Sequence, residues 1–399
     1  MNLKYAERML GEKNDVVKEA LKLTAQPDII SFAGGLPAPE SFPLKEMAAA
    51  TAKVFAEKGT SALQYSSVEG LLALRELIAK RMSERHNIPA KAEEILITSG
   101  SQQAIDMVGR IFLNPGDYVV CESPTYTAAV TTFKSYQCNF LSIDTDDEGM
   151  VMEDLRAKLA GCPNAKVIYV IPNFQNPSGK TWSVERRKAL LEVAEEFNVP
   201  VLEDNPYGEL RYEGEELPTV KSMDTKGMVI YMGSFSKVLC PGLRCGYIIS
   251  CPEVMDMLCQ IKQSTDLHSS TINQLSILQY LTDNDIDAHI LELRAIYRHK
   301  RDLMLETMKK TFPKEAKFTY PHGGMFTWVE LPKEIDTQKL FPKAIERKVA
   351  YIPGATFFPN GEADNCLRMS YSSSSDEKII QGITALGEVF TEAVATLKK

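Results

Sequence analysis

Four apolar strand patterns between residues 95 and 234 each run directly into a cluster of polar side chains. Amphipathic helix patterns such as VERRKALLEVAEEFN lie between them. This alternation predicts an α/β fold, with a mostly parallel, doubly wound sheet in a large domain. The carboxyl ends of parallel strands meet at one edge, where such sheets bind ligands. We therefore expect one site to gather the clusters at 99–102, 173–179, 204–207 and 233–237.

The texture of the chain changes after about residue 265. A long amphipathic helix is predicted at 286–310, followed by shorter strands and a final helix near 376–397. This pattern is typical of a smaller α+β domain. We predict a large domain at 45–285 and a small C-terminal domain at 286–399. The remaining segment, 1–44, is too short for its own core, so we expect it to pack with the small domain or with a partner subunit.

Composition restricts the class of protein and its location. The 399 residues include 45 basic and 53 acidic side chains, and the net charge of -8 favours neither nucleic acid nor an anionic membrane. No apolar stretch approaches 18 residues, and the charged N-terminus has no signal-peptide pattern. The eight cysteines show no CxxC pair and no zinc-type spacing. We expect a cytoplasmic protein with reduced thiols and no metal site.

The segment Gly233–Lys237 places two hydroxyls and a lysine just past a strand, and Arg244 follows seven residues later. Hydroxyls and a guanidinium suit a phosphate group, which arginine binds bidentately. A lysine beside other positive charge can react with an aldehyde once its amine is deprotonated. Taken alone, the pentapeptide is more typical of a polar surface loop.

Three further motifs follow strands, and each has an ordinary structural alternative. Asp204 and Tyr207 end a strand, where a buried carboxylate needs a partner such as a protonated pyridine, although Asp-Asn-Pro also suits a surface turn. Asn176 could donate to a phenolate oxygen or could belong to a plain β-turn. Ser101 and Gln102 begin a predicted helix. The amides at its N-terminus could bind an anion, or the segment could be an ordinary glycine turn with a serine cap.

In combination and in this order, the motifs resemble those of the fold-type I pyridoxal-phosphate-dependent aminotransferases of class I/II. The resemblance is closest to the 2-aminoadipate/kynurenine aminotransferase-like branch, which typically carries SFAGGLP, present here at 31–37. It spans residues from about 28 to 390. It implies an aspartate aminotransferase-like fold with pyridoxal 5'-phosphate as cofactor. By this resemblance, Lys237 would hold the cofactor covalently and Asp204 would pair with its ring nitrogen. Asn176 and Tyr207 would contact its phenolic oxygen.

The resemblance also implies the residues that bind the cofactor phosphate. Ser234, Ser236 and Arg244 would bind it from the strand-end loop. Ser101 and Gln102 would approach it from a helix N-terminus.

Other implied roles concern the substrate and the subunit interface. Tyr126 resembles the ring that stacks on the cofactor, and Tyr65 is similar to a tyrosine that reaches a phosphate across a dimer interface. That similarity implies a homodimer with shared active sites. Arg368 matches the arginine that clamps the substrate α-carboxylate, and Gly35 would lie against the substrate through its backbone. Tyr65 and Asn176 would also contact the substrate.

The implied reaction moves an amino group from an L-amino acid to a 2-oxo acid, with 2-oxoglutarate the expected acceptor, by a ping-pong mechanism. We expect broad donor specificity over 2-aminoadipate, aromatic and aliphatic amino acids. In this branch the segment at 21–27 often recognises the side chain; here it has no arginine, although Lys22 is available.

Two other functions share some of these motifs. A pyridoxal-phosphate C–S β-lyase would use the same lysine, aspartate and arginine. A non-catalytic sensor domain would follow a winged helix-turn-helix, for which the roughly 30 residues before SFAGGLP are too few.

Overall fold

The computed structural model describes residues 3–9, 26 and 28–397. The proposed side-chain recognition segment at 21–27, with Lys22, therefore lies outside the described residues except for Gln26. Within the described part of the chain, no helix is both long and apolar enough to cross a membrane. The same residues contain no cluster of three or more histidine, cysteine or acidic side chains that could hold a metal ion.

An eight-stranded sheet forms the centre of the first 250 residues. Its strand order is β2-β9-β8-β7-β6-β3-β4-β5. The five adjacent strands β8, β7, β6, β3 and β4 are parallel to one another. The outer pairs β2–β9, β9–β8 and β4–β5 are antiparallel. The central strands are continuous buried runs because helices cover both faces. The predicted fold class is confirmed. The strands are β2 Ile95–Thr98, β3 Tyr118–Ser123, β4 Asn139–Asp146, β5 Gly149–Met150, β6 Ala165–Val170, β7 Val201–Asp204, β8 Val229–Ser234 and β9 Gly246–Ile249.

Helices follow the strands, and side-chain caps begin several of them. Ser183 accepts a hydrogen bond from the Arg186 amide at the start of α6, and Asp285 caps α10 in the same way. The helices are α1 Leu44–Lys58, α2 Leu72–His86, α3 Ser101–Phe112, α4 Thr127–Lys134, α5 Met152–Ala160, α6 Val184–Phe197, α7 Val220–Met223, α8 Pro252–Thr265, α9 Thr271–Asp283, α10 Ile286–Thr311, α11 Thr337–Glu346 and α12 Asp376–Leu397. Short 3-10 turns lie at Glu7–Met9, Pro39–Ser41, Gly59–Leu63, Ala92–Glu94, Pro241–Leu243 and Gly354–Phe357.

The C-terminal third forms a separate antiparallel sheet of order β10-β11-β14-β13, and α10 packs against α12 beside it. The strand β1 from the N-terminal segment pairs in parallel with β12, which brings residues 30–38 to this part of the molecule. The domain boundary at 285 falls at the cap of α10 and stays a prediction. The strands are β1 Ile30–Ser31, β10 Lys317–Phe318, β11 Phe326–Glu330, β12 Val349–Ala350, β13 Ile352–Pro353 and β14 Cys366–Ser370.

Candidate active site

A cavity of about 490 Å³ lies at the carboxyl ends of the central strands, where residues of both sheets and of segment 33–35 meet. Every site residue predicted from the sequence lines it except Tyr65. Those residues are Gly35, Ser101, Gln102, Tyr126, Asn176, Asp204, Tyr207, Ser234, Ser236, Lys237, Arg244 and Arg368. Because parallel strands end at one edge of the sheet, motifs that are more than 100 residues apart in the sequence lie together in the structure.

Lys237 extends into this cavity from the loop after β8. Its Nζ donates a hydrogen bond to the main-chain oxygen of Gly35 at 2.7 Å. Burial, together with the positive charges of Arg368 and Arg244, lowers the pKa of Lys237 to about 8. A larger share of this amine is therefore neutral, and hence nucleophilic, near pH 7 than for an exposed lysine.

Asp204, the last residue of β7, presents a buried carboxylate to the cavity. Its Oδ2 accepts a hydrogen bond from the Tyr169 hydroxyl at 2.8 Å, while its buried Oδ1 has no hydrogen-bond partner among the described residues. Burial raises the pKa of Asp204 to about 7, against the lowering effects of the Tyr169 hydrogen bond and the Lys237 charge. An unpaired oxygen in this setting suits a protonated ligand group that can donate to it.

A second corner of the cavity combines a helix N-terminus with hydroxyls and a guanidinium. Gly100 precedes α3 with φ 82° and ψ 169°, a conformation essentially restricted to glycine. A Cβ there would lie 2.4 Å from a terminal nitrogen of Arg244. The Ser101 hydroxyl is buried, and no residue in the described part of the chain forms a hydrogen bond with it. The helix N-terminus, the Ser101 hydroxyl and a close guanidinium form a suitable site for a phosphate.

The other residues predicted for this corner lie beside it. Ser234 ends β8, and its Oγ accepts a hydrogen bond from the Ser236 amide at 3.0 Å. The Gln102 amide donates to the Thr132 hydroxyl at 2.5 Å, so its side chain also links α3 to α4.

Arg368, on β14, also lines the cavity. One terminal nitrogen donates to Asn176 Oδ1 at 2.8 Å and the other to the main-chain oxygen of Ala33 at 2.6 Å. The guanidinium carbon lies 4.3 Å from the Phe326 ring centroid and 5.0 Å from that of Phe357. Burial lowers the pKa of Arg368 to about 10, where it stays charged at neutral pH. Both of its terminal nitrogens contact neutral oxygens that a carboxylate could replace.

Two tyrosines complete the walls. Tyr126 precedes α4 as its cap residue, and burial with the nearby Asp204 charge raises its pKa. Tyr207 is 5% exposed, and its ring meets Phe326 edge-on at 5.7 Å. Burial likewise raises the pKa of Tyr207, so both phenols are neutral hydrogen-bond donors at neutral pH.

The loop that carries Asn176 is fixed from behind by buried polar groups. Glu122 on β3 accepts hydrogen bonds from the Ile171 amide at 3.0 Å and from the Trp182 indole at 2.9 Å. The fully buried Arg187 donates to main-chain oxygens of Pro172 and Trp182. These contacts hold both ends of the loop and thereby the position of Asn176.

Tyr65 lies outside this chain's cavity. Its side chain is 78% exposed, and its ring packs edge-on against His268 at 5.7 Å.

Sequence reasoning missed two aromatic contributors, Phe326 and Tyr169. Phe326 follows the pair Gly323–Gly324, and a Cβ on Gly35 would meet its ring at 2.6 Å. Tyr169 lies within the apolar run of β6. A signal for it was available, because a tyrosine in a fully buried strand needs a partner for its hydroxyl.

Residues 27–386 match the family model "Aminotransferase class I and II". The chain belongs to the class I and II aminotransferases. Among relatives, it is 43% identical over 97% of its length to "Aromatic-amino-acid aminotransferase 1" of Thermococcus litoralis, of which it covers 94%. It is 41% identical over 95% of its length to the "2-aminoadipate transaminase" of Thermus thermophilus, of which it covers 94%. A kynurenine aminotransferase structure from Pyrococcus horikoshii superposes with TM-score 0.94, 41% identity and coverage of 98% and 97% of the two chains.

The aminotransferase therefore depends on pyridoxal phosphate and moves amino groups from amino acids to 2-oxo acids. Its cavity fits that cofactor by its own geometry. The unpartnered Asp204 Oδ1 suits a ring N–H, and the unpartnered Ser101 hydroxyl suits a phosphate. Lys237 is an amine with lowered pKa that lines the same cavity as these groups and Arg368. The predicted family, enzyme class and cofactor are confirmed.

Proposed function

We propose that this aminotransferase accepts a broad set of L-amino donors, including 2-aminoadipate, aromatic and aliphatic amino acids, with 2-oxoglutarate as acceptor in a ping-pong cycle. The observation that carries the proposal is Arg368, a buried guanidinium in the same cavity as Lys237. Donor and acceptor share an α-carboxylate, so one bidentate group can position both. The relatives, named for aromatic amino acids and for 2-aminoadipate, support a broad range.

The described residues that line the cavity support an enzyme that does not require an acidic side chain on its amino donor. Among the described residues that line it, the cations are Lys237, Arg244 and Arg368. Each already has a proposed role toward the cofactor or the α-carboxylate. Phe326 and Ile352 lie near Arg368 and offer apolar contact to an aliphatic or aromatic side chain.

In the proposed mechanism, Lys237 binds the cofactor and later moves the substrate proton. Bound pyridoxal phosphate supplies an electron sink for the breaking Cα–H bond. With the cofactor and an amino acid bound, the free Nζ of Lys237 would take the proton from the substrate Cα and deliver it to C4′ of the cofactor. Its lowered pKa suits this work, because a base that titrates near the working pH exchanges protons in both directions.

The other cavity residues hold the two ligands in place. We assign Asp204 to the cofactor ring nitrogen, Tyr207 and Asn176 to its phenolic oxygen and Tyr126 to its face. We assign its phosphate to the corner already described, lined by Ser101, Gln102, Ser234, Ser236 and Arg244. The unpartnered oxygens of Asp204 and Ser101 support this orientation of the cofactor. Gly35 borders the substrate space through its main chain, beside Arg368.

We propose further that the protein is a cytoplasmic homodimer in which Tyr65 serves the partner's site. Tyr65 is exposed and lies outside its own cavity. Leu63, two residues before it, is also exposed, and so is Leu267, the neighbour in sequence of the His268 that Tyr65 packs against. The eight free cysteines support a reducing compartment. Sedimentation should give twice the chain mass, and a fully active monomer would contradict the shared site.

The assignment is tested by Lys237→Ala, which should abolish turnover and the absorbance of the covalently held cofactor. The matched control is Lys221→Ala, which removes a largely buried lysine that pairs with Asp224 away from the cavity. Full turnover by the Lys237 variant would end the assignment.

A panel of about twenty amino donors with 2-oxoglutarate tests the proposed breadth of donor specificity. Activity confined to one class of donor would contradict it.

A further inference from the structure

The two carboxylate oxygens of Asp204 have different environments. Oδ2 accepts the Tyr169 hydroxyl at 2.8 Å, and Oδ1 is buried with no partner on the described residues. Asp204 lines the cavity, whereas Tyr169 does not. The tyrosine therefore acts on the carboxylate from inside the sheet, and the free oxygen is the one left for a ligand.

The pairing follows from the register of two parallel strands. Tyr169 on β6 is the Cα partner of Leu202 on β7. Side chains two residues apart on a strand share a face, so Asp204 lies diagonally next to Tyr169 on that face. Tyr169 is buried one residue before the end of β6, and Asp204 is the last residue of β7 and borders the cavity.

The position of the Tyr169 hydroxyl is fixed by packing. The residue is 1% exposed, and its ring meets Phe133 edge-on at 5.9 Å within the main core cluster. Burial and the nearby Asp204 charge raise the pKa of Tyr169 well above its usual value, so the phenol stays protonated and donates. A buried phenol without an acceptor is costly, which further commits this hydroxyl to Asp204.

We propose that Tyr169 is a positioning residue for the reaction: its hydroxyl occupies Oδ2 of Asp204, so that Oδ1 faces the cofactor ring nitrogen and the proton stays on that nitrogen. The inference rests on the proposed pairing of Asp204 with the ring. A hydrogen bond to the charged carboxylate stabilises the ionised form and makes it a weaker proton acceptor. Without the phenol, Asp204 takes the proton more readily and its carboxylate is free to rotate.

The test is Tyr169→Phe, studied as apoenzyme and as holoenzyme. The dissociation constant for pyridoxal phosphate should rise about tenfold or more, because a hydrogen bond to a charged group is lost. The maximal rate of the half-reaction with an amino acid should fall by a similar factor. The substrate KM should change little, because Arg368 still holds the carboxylate. Tyr351→Phe is the matched control, since it removes an equally buried hydroxyl that donates to the Thr337 main-chain oxygen.

A cofactor analogue with CH in place of the ring nitrogen separates positioning from general packing. Its reconstituted enzyme has no ring proton for Asp204 to hold, so Tyr169→Phe should then lose little affinity beyond the Tyr351→Phe control. An equal loss with both cofactors would mean that the phenol acts only through packing, and would overturn the inference.

Asp204→Asn distinguishes failure of this inference from failure of the proposed function. If Asp204→Asn is impaired while Tyr169→Phe matches the Tyr351→Phe control, Tyr169 has no positioning role, and the proposed site stands. If Asp204→Asn retains full affinity and rate, the pairing of Asp204 with the cofactor is wrong, and the Tyr169 inference is overturned with it.

Discussion

Gly100 allows a sharp test of the phosphate corner, through Gly100→Ala. The new Cβ would lie 2.4 Å from Nη2 and 3.0 Å from the guanidinium carbon of Arg244. The guanidinium is the end of a flexible side chain, so it moves away while the backbone stays. The substitution also places a side chain in a glycine conformation, which costs about 1–3 kcal/mol of folding stability.

The expected effect on cofactor binding follows from the displaced guanidinium. A hydrogen bond between charged groups contributes about 1.5–3 kcal/mol, so its loss weakens binding about 10- to 150-fold. Titration of the apoenzyme with pyridoxal phosphate, followed by fluorescence or absorbance, measures this change. Pyridoxal, which lacks the phosphate, should bind Gly100→Ala and the parent protein about equally.

Gly116→Ala is the matched control for backbone strain. Gly116 has φ 88°, close to that of Gly100, but a Cβ there would meet no atom of residues 3–9, 26 or 28–397 within 4 Å. Both variants should lose thermal stability, and only Gly100→Ala should lose affinity for the phosphorylated cofactor. Unchanged affinity in Gly100→Ala, alongside a melting-temperature loss like that of Gly116→Ala, would refute the assignment of Arg244 to the phosphate.

Two other predictions concern Arg368 and Lys237. Arg368→Lys keeps the charge but loses the two parallel hydrogen bonds that a guanidinium can donate to a carboxylate. The kcat/KM for both amino and 2-oxo acids should therefore fall about 100-fold, while the absorbance of the bound cofactor is unchanged. A loss confined to one of the two substrates would contradict the shared binding of their carboxylates by Arg368. Capture of pyridoxal phosphate by the apoenzyme should accelerate as pH rises and level off above about 8, because the neutral amine is the reactive form and the pKa of Lys237 is lowered to about 8. Stopped-flow absorbance measures this rate, and a midpoint near 10.5 would show that burial and the two arginines do not act on Lys237.

The sequence was most informative where polar residues end apolar strands. Asp204, Asn176 and Lys237 stand out because parallel strands must end at one edge, and the structure brings all three to one cavity. The long helix predicted at 286–310 is present as Ile286–Thr311, because its apolar spacing is unambiguous.

Contacts made by aromatic side chains were much harder to predict. Phe326 lies in a five-residue strand, and its placement against Arg368 depends on how β11 pairs with β14. Phe357 is buried and also flanks Arg368. Such contacts depend on the register between strands about 40 residues apart, and no local pattern encodes that register. Tyr65 shows a different limit, because the role expected of it involves a second chain.

Two of the three cations among the described lining residues donate to the main chain of segment 33–35: Arg368 to the Ala33 oxygen and Lys237 to the Gly35 oxygen. Any incoming molecule must compete with these neutral acceptors. An amino-acid amide would only exchange one uncharged oxygen for another at Arg368, whereas a free carboxylate replaces it with a charged acceptor that binds about twice as strongly. If Arg368 binds the α-carboxylate as proposed, this segment makes recognition depend on the ionisation state of the ligand, and peptides blocked at the carboxyl end should be rejected even where their side chains fit.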